Sequence, residues 1–169
     1  MRVRWLDALP ARWRAFFIRW GFNFYPSYRA TGGRVIYVSP DLRRMRIKLA
    51  LSWRTRNPAG SLFGGSLYAV TDPLYVWLLA QHLGAGYIVW DKAGSIRYRK
   101  PGRSTLFADF GVDEPLLDEI RRQVAAKGEY HRDFPVELKD SHGTVHVEIV
   151  KTIYVATKEH YRQKIAAQG

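Results

Sequence analysis

The stretch NPAGSLFGGSLYAVTDP, residues 57–73, begins the longest apolar run of the sequence, which continues to Leu83. Because this run has almost no polar face, we predict a single helix over residues 61–83 that is enclosed on nearly all sides. A helix of this kind needs a sheet large enough to wrap around it. Asp72 and Pro73 stand out, because they place one carboxylate and a proline inside the run.

Outside this run, apolar and polar residues alternate with the period of two that is typical of β-strands. Along residues 45–53 the apolar face that we expect to be buried extends from Met45 to Trp53. Residues 115–127 form a second, amphipathic helix that we place on the surface. The last two strands are joined at DSHG, which predicts a hairpin. The predicted strands are residues 34–39, 45–53, 87–101, 104–112, 134–138 and 145–155.

The segment before the first strand, residues 1–32, is rich in arginine and aromatic residues. A helix ending at Gly21 would gather four aromatic side chains on one face, those of Trp13, Phe16, Phe17 and Trp20. The favoured interpretation is that this face packs on the domain. The alternative is a helix in the interface of a membrane, where Trp and Phe opposite arginines are typical. We assign residues 33–160 to one domain and residues 161–169 to a polar tail.

The composition and charge of the chain limit the kinds of partner that we expect for it. The chain has 169 residues, 47% of them apolar, which suits one domain with one core. Its net charge of +12 predicts an anionic partner such as coenzyme A or an anionic membrane surface, with nucleic acid the least expected. No apolar stretch is long enough to span a membrane and no signal segment is seen, so we expect a cytoplasmic protein. Without cysteine, and without histidines at i, i+4 on a helix, we expect no metal site and no cofactor.

An antiparallel sheet curved around a central apolar helix resembles the hotdog fold of the α+β class, with an extra amino-terminal helix here. Residues 57–73 resemble the signature of the phenylacetate-pathway (PaaI-like) thioesterases of that fold. In that signature an Asn precedes a Gly, a His-Gly-Gly run opens the central helix, and an acidic residue follows. The matching positions are Asn57, Gly60, Gly64, Gly65 and Asp72, while Phe63 replaces the His. The likeness extends from about Val35 to Val155 and looks closest to an uncharacterised branch known as a domain of unknown function.

This resemblance implies an acyl-CoA thioesterase. Gly64 and Gly65 would offer backbone N–H groups to the thioester carbonyl, and Asp72 would activate water or attack directly. Along one continuous helix, Gly64 and Asp72 would lie about 12 Å apart at about 1.5 Å per residue. We therefore predict a homodimer or a dimer of dimers, with the site between subunits. Asn57 and Phe63 complete the predicted site.

Structural alternatives exist for each of these positions. Asp72 and Pro73 also fit a helix cap followed by a first helical residue, and Asn57 before Pro58 fits a turn. A basic strand and turn could bind coenzyme A phosphates, although a solvated basic face is the alternative. Its residues are Arg97, Arg99, Lys100 and Arg103. The alternative function is a non-catalytic hotdog protein that binds an acyl lipid or a membrane surface.

Overall fold

The computed structural model describes residues 9–167, which form a six-stranded antiparallel sheet with helices. The strands are β1 (Gly33–Val38), β2 (Arg44–Leu49), β3 (Tyr87–Tyr98), β4 (Leu106–Gly111), β5 (Glu129–Lys139) and β6 (Val145–Thr157). The helices are α1 (Ala11–Phe24), α2 (Pro26–Ala30), α3 (Gly64–Ala69), α4 (Leu74–Leu83), α5 (Glu114–Lys127) and α6 (Lys158–Ala166). The strand order is β1-β2-β4-β5-β6-β3. The predicted fold class is confirmed.

The central apolar run forms two helices rather than one. The helix α3 ends at Ala69 and α4 begins at Leu74, with a turn between them that contains the cis peptide bond between Asp72 and Pro73. The prediction of one helix over residues 61–83 is therefore wrong, since a proline has no N–H to donate within a helix. The run is also less enclosed than expected: Leu74, Leu78 and Leu79 are fully buried, whereas Trp77 is half-buried and Phe63 is 56% exposed.

The predicted strand over residues 45–53 is shorter in the structure, because β2 ends at Leu49. Thr55 closes a turn here: its hydroxyl donates to the Ala50 carbonyl at 2.7 Å and accepts from the Ser52 N–H at 2.9 Å. This turn ends the alternation before Trp53. The prediction that Trp53 is buried is wrong, since the residue is 82% exposed.

The carboxyl-terminal part follows the sequence pattern closely. β5 and β6 form the predicted hairpin, in which Val136 pairs with Ile149. The helix α5 buries Leu117, Ile120 and Val124. The predicted boundary at residue 160 falls inside α6.

The helix α1 packs on the sheet with the side that we did not predict. Ala15 and Ile18 are its buried residues, whereas Trp13 is 47%, Phe16 44% and Trp20 54% exposed. The helix also continues three residues past Gly21, to Phe24. The favoured interpretation, in which the aromatic face packs on the domain, is therefore wrong.

Asn23 provides the physical reason for this orientation. Its side-chain Nδ2 donates to the Val35 carbonyl at 2.9 Å, and its Oδ1 accepts from the Val35 N–H at 2.9 Å. These two bonds fasten α1 to the edge strand β1 and turn the aromatic face outward. Among the described helices, none combines the length and the apolar character needed to cross a bilayer.

Candidate active site

Asp72 lies beside a buried lysine at the turn between α3 and α4. Lys151 Nζ, on β6, is 2.9 Å from Asp91 Oδ2 and 3.5 Å from Asp72 Oδ1. The side chain of Lys151 is only 4% exposed, whereas that of Asp72 is 54% exposed. The lysine therefore lies beneath the two carboxylates, and Asp72 is the member of the cluster that solvent or a substrate can reach.

The environment of Asp91 is unusual for a carboxylate. Burial, together with hydrogen bonding to Asp72, raises the pKa of Asp91 to about 6, although Lys151 acts in the opposite direction. Asp91 Oδ1 is buried and has no hydrogen-bond partner among the described residues. Burial acts to lower the pKa of Lys151, but the hydrogen bond and charge of Asp91 and the charge of Asp72 outweigh it and raise the pKa overall.

The two candidate carbonyl-binding glycines stand at the other end of α3. Phe63, at the N-cap, provides no side-chain cap and is 56% exposed. A Cβ on Gly65 would lie 2.4 Å from Phe63 Cε1, and one on Gly64 would lie 2.8 Å from Tyr98 Oη. A side chain at either position would therefore have to displace a neighbouring exposed ring.

The separation between the glycines and Asp72 persists although the helix is broken. Gly64 is the first residue of α3, and Asp72 follows its last residue, Ala69, by three positions. The six residues of α3 alone extend about 9 Å at about 1.5 Å per residue. Within one chain, the structure thus keeps the predicted donors and the predicted base at opposite ends of this helix.

Asn57 closes the loop that precedes α3. Its Oδ1 accepts from the Ser61 N–H at 3.1 Å, and its Nδ2 donates to Ser61 Oγ at 3.0 Å and lies 3.5 Å from the Leu62 carbonyl. These contacts match the turn that we considered as its alternative role. They fix the loop that carries Phe63 into α3.

The predicted basic residues lie at the end of β3 and in the following turn, and all four are exposed. Arg99 pairs with Glu148 at 2.8 Å, so the positive charge of Arg99 is partly neutralised. Arg97 stands opposite Glu148 in the β3–β6 register. Lys100 and Arg103 extend this basic surface beyond the strand.

The sequence analysis missed Asp91 and Lys151, although a signal for each was present. Lys151 stands where the alternation of β6 calls for an apolar residue, between the buried Ile149 and Ile153. Asp91 interrupts the apolar start of β3 in the same way. A charged residue at a core position of a strand is rarely unpaired, so the pattern itself indicates a partner.

The comparisons with known proteins agree with this architecture. The sequence matches the family described as Domain of unknown function (DUF4442) over residues 14–155. The chain belongs to this family. A comparison with curated proteins gives no significant match.

Several solved structures share the fold of this DUF4442 chain. A probable thioesterase from Pseudomonas aeruginosa is 15% identical, with a TM-score of 0.75 over 84% of this chain and 95% of that chain. A thioesterase from Haemophilus influenzae is 13% identical, with a TM-score of 0.59 over 80% and 85% of the two chains. The PaaI protein of the E. coli phenylacetic acid degradation operon is 15% identical, with a TM-score of 0.57 over 87% and 96%. These similarities establish a hotdog-like fold.

Proposed function

We propose that the protein is an acyl-CoA thioesterase with Asp72 as its base and with a site formed between two copies of the chain. The observation that carries this proposal is the position of Asp72. Its carboxylate is more than half exposed, yet it faces the buried ammonium of Lys151 at the turn in the central helical segment. The names of the structural neighbours, which include thioesterases from two organisms, support the same class of reaction.

The proposed reaction uses Asp72 as a general base. The carboxylate takes a proton from water, the water oxygen forms a bond to the thioester carbon, and the C–S bond breaks. The electron pair of that bond stays on sulfur, which receives the proton back from the carboxyl group. The products are a carboxylic acid and the thiol of coenzyme A. The N–H groups of Gly64 and Gly65 would stabilise the charge that develops on the carbonyl oxygen.

A second copy supplies the missing half of this site. The open edge of the sheet is β3, which is twelve residues long and has no neighbour on its outer side in the described chain. An unpaired strand of this length is a template for pairing with another chain. Pairing of two β3 strands would bring the carboxylate of one copy towards the glycines of the other, and a dimer of dimers would bury further surface.

Coenzyme A is the proposed carrier because of the basic surface at the end of β3. Lys100 and Arg103 are exposed cations that could meet its phosphates, and Arg97 lies beside them on the strand. Phe63, exposed at the start of α3, would contact the thioester arm. We propose that the phosphates bind here while the thioester reaches Asp72 of the other copy.

The test is hydrolysis by the purified protein of acyl-CoAs of varied chain length, repeated with Asp72→Asn. The asparagine keeps the shape of the side chain but cannot accept a proton, so we expect kcat to fall roughly 100-fold or more, the usual scale for a general base. Asp109→Asn is the control, because Asp109 is an exposed strand carboxylate that pairs with Arg46. Equal hydrolysis by the Asp72→Asn variant and the parent would contradict the proposal.

A second candidate function is favoured by the outward aromatic face of α1. Trp13, Phe16 and Trp20 are exposed, and Phe24 continues the same surface at 51% exposure. Arg12 and Arg19 are exposed on the same helix. Aromatic side chains with flanking arginines suit the interface of an anionic membrane, where rings enter the headgroup region and cations meet phosphates.

Sedimentation with anionic vesicles at low salt tests this second function. We expect the parent protein to sediment with them and the Trp13→Ala/Trp20→Ala variant to stay in the supernatant. Trp53→Ala is a matched control, because Trp53 is also exposed but lies outside α1. Vesicle binding without hydrolysis of any acyl-CoA would favour the non-catalytic alternative. If the parent protein does not sediment with the vesicles, the proposed membrane contact is contradicted.

A further inference from the structure

The cluster around Lys151 joins three parts of the fold that are distant in sequence. Asp72 comes from the turn between α3 and α4, Asp91 from β3 and Lys151 from β6. Lys151 also lies 4.9 Å from the centre of the Tyr68 ring, so its ammonium meets two carboxylates and an aromatic face. A buried cation costs free energy unless its partners are well placed. Stability alone therefore does not explain why a core strand carries this buried lysine.

The backbone of β3 is shaped around this cluster. The β3–β6 register shifts between Asp91 and Ala93, so β3 has a bulge at Lys92. Bulges re-aim side chains, and they are frequent beside active sites. Gly94 is close by: a Cβ there would lie 2.1 Å from Tyr68 Oη, so only glycine admits the ring. The bulge and the glycine together allow Asp91 and Tyr68 to approach Lys151.

We propose that Asp91 is a positioning residue for Asp72, sharing a proton between the two carboxyl groups, with Lys151 holding both carboxyl groups in place. This inference deepens the proposed thioesterase function and rests on it where the role of Asp72 as base is concerned. Asp91 is the half of the pair that is sheltered by the fold, while Asp72 is the half that faces outward. Asp72, the exposed group, contacts the water molecule. Asp91, the sheltered group, controls the proton on Asp72 and the orientation of the Asp72 carboxylate.

The electrostatics support proton sharing. The titratable groups that face Asp91 are Asp72 and Lys151, with Tyr68 behind the lysine. Burial and the hydrogen bond to Asp72 raise the pKa of Asp91 to about 6, close to neutral pH. Two carboxyl groups that contact the same ammonium titrate as a pair, so the apparent pKa belongs to the pair. A proton held between them also lessens the cost of burying the unpartnered Oδ1 of Asp91.

This pair has a defined task in the reaction. When Asp72 removes a proton from water, its charge is lost while the proton stays within reach of Asp91 and is available for the leaving sulfur. Lys151 keeps its proton throughout, because the hydrogen bond to Asp91 and the charges around it raise its pKa. No co-reactant besides water and the thioester is required, and every proton taken from water ends on a product.

The first test is the pH profile of acyl-CoA hydrolysis. The parent is expected to lose activity on the acid side with an apparent pKa near 6. Asp91→Asn removes the second carboxyl group, so its acid limb should move at least one pH unit lower, with kcat reduced about tenfold and KM unchanged. Lys151→Met should move the limb in the opposite direction, because the cation that favours the charged carboxylates is gone. An acid limb that is the same in Asp91→Asn and in the parent overturns the proposal.

The second test does not depend on hydrolysis. The folded-state pKa of Asp91 is above its unfolded value near 3.8, so this group stabilises the fold below that value and loses its contribution as pH rises through about 6. Urea unfolding from pH 4 to 7 should show that the parent, relative to Asp91→Asn, becomes more stable as pH falls, by roughly 50-fold in the unfolding equilibrium constant over this range. Asp109→Asn serves as the control and should show no such trend.

These two measurements separate failure of the inference from failure of the proposed function. A flat difference in stability between Asp91→Asn and the parent overturns proton sharing, whatever the activity. A stability trend of the expected sign in a protein that hydrolyses no acyl-CoA supports the carboxyl pair and overturns the thioesterase proposal, together with the positioning role.

Discussion

The two edges of the sheet are treated in opposite ways. At one edge, β1 is covered by α1, and Asn23 bonds both the N–H and the carbonyl of Val35 as a neighbouring strand would. At the other edge, β3 runs for twelve residues without a strand on its outer side among residues 9–167. The chain thus closes one edge by itself and leaves the longer one open. We therefore expect pairing with another copy at the β3 edge alone.

The open edge also carries residues of the proposed site. Asp91 lies on β3 and the basic residues follow at its end, whereas the β1 edge bears no part of the proposed site. The helix α6 lies near the beginning of β3, where Tyr161 contacts the ring of Trp90 at 5.0 Å. Because Asp91 is on β3, two β3 strands that pair would place their carboxylate clusters close to the new interface.

The largest effect is expected at the open edge. Ala93 and Ser95 are exposed on β3, and Ala93→Glu/Ser95→Glu would place like charges opposite each other if two β3 strands pair. Like-charge contacts at an interface cost several kcal/mol, so we expect the dimer dissociation constant to rise on the order of 100-fold or more. Light scattering over a range of protein concentrations measures this change.

The covered edge provides the matched control for this double variant. Tyr37 is 50% exposed on β1, so Tyr37→Glu adds a charge to the edge that α1 covers. We expect the molar mass of the assembly, measured by light scattering, to stay unchanged. A parent protein that is monomeric at micromolar concentration would contradict the whole assignment of β3 as an interface. Dissociation caused by Tyr37→Glu instead would move the interface to the other edge.

A smaller effect is expected from the asparagine that covers β1. Asn23→Asp keeps the acceptor for the Val35 N–H but loses the donor to the Val35 carbonyl and sets a carboxylate against it. We expect the free energy of unfolding to fall by about 2 kcal/mol, the scale for a partly buried polar group left without its partner. Urea unfolding measures the loss. Gln163→Ala on α6 is the control, and an unchanged stability of Asn23→Asp would mean that the edge is held by other contacts.

The smallest effect concerns Glu129, which anchors α6 near the start of β3. Hydrogen bonds from Lys164 at 2.6 Å and Tyr154 at 2.8 Å lower its pKa to about 2. Because the folded-state pKa is below the usual value of 4.5, this group stabilises the fold above pH 4.5 and loses its contribution as pH falls towards 2. Glu129→Gln should therefore be less stable than the parent at pH 7, with a difference that shrinks below pH 4.5 in thermal unfolding. A difference that grows on acidification would reverse the assigned sign. Asp91 is expected to show the opposite trend.

Much of the fold follows from local pattern. The alternation of Val136 with polar neighbours and the apolar face of α5 led to the elements that the structure has, because burial of one face imposes a period on the sequence. The errors lie where a local contact competes with the pattern. Thr55 ends β2 before Trp53, and Pro73 divides the central helix. Such contacts involve single side chains, so they cannot be read from the hydrophobic periodicity of the sequence.

The candidate site was predictable only in part. Gly64, Gly65 and Asp72 are recognisable by spacing along one segment, and their roles stay predictions. Lys151 and Asp91 come from other strands, and the sequence marks them only as charges in apolar positions. Their partnership depends on register: the bulge beside Asp91 and the placement of β6 next to β3 bring the two together. A register is set by the whole sheet, not by either strand.

The sequence by itself determined most of the strands, the apolar character of the central segment and the position of a lone carboxylate within it, because periodicity and composition are local properties of the chain. The tertiary structure decided what that carboxylate meets, which edge of the sheet is closed and which face of α1 points outward. Each of these depends on contacts between residues far apart in sequence, such as Lys151 with Asp72 and Asn23 with Val35. Their geometry exists only once the sheet has formed.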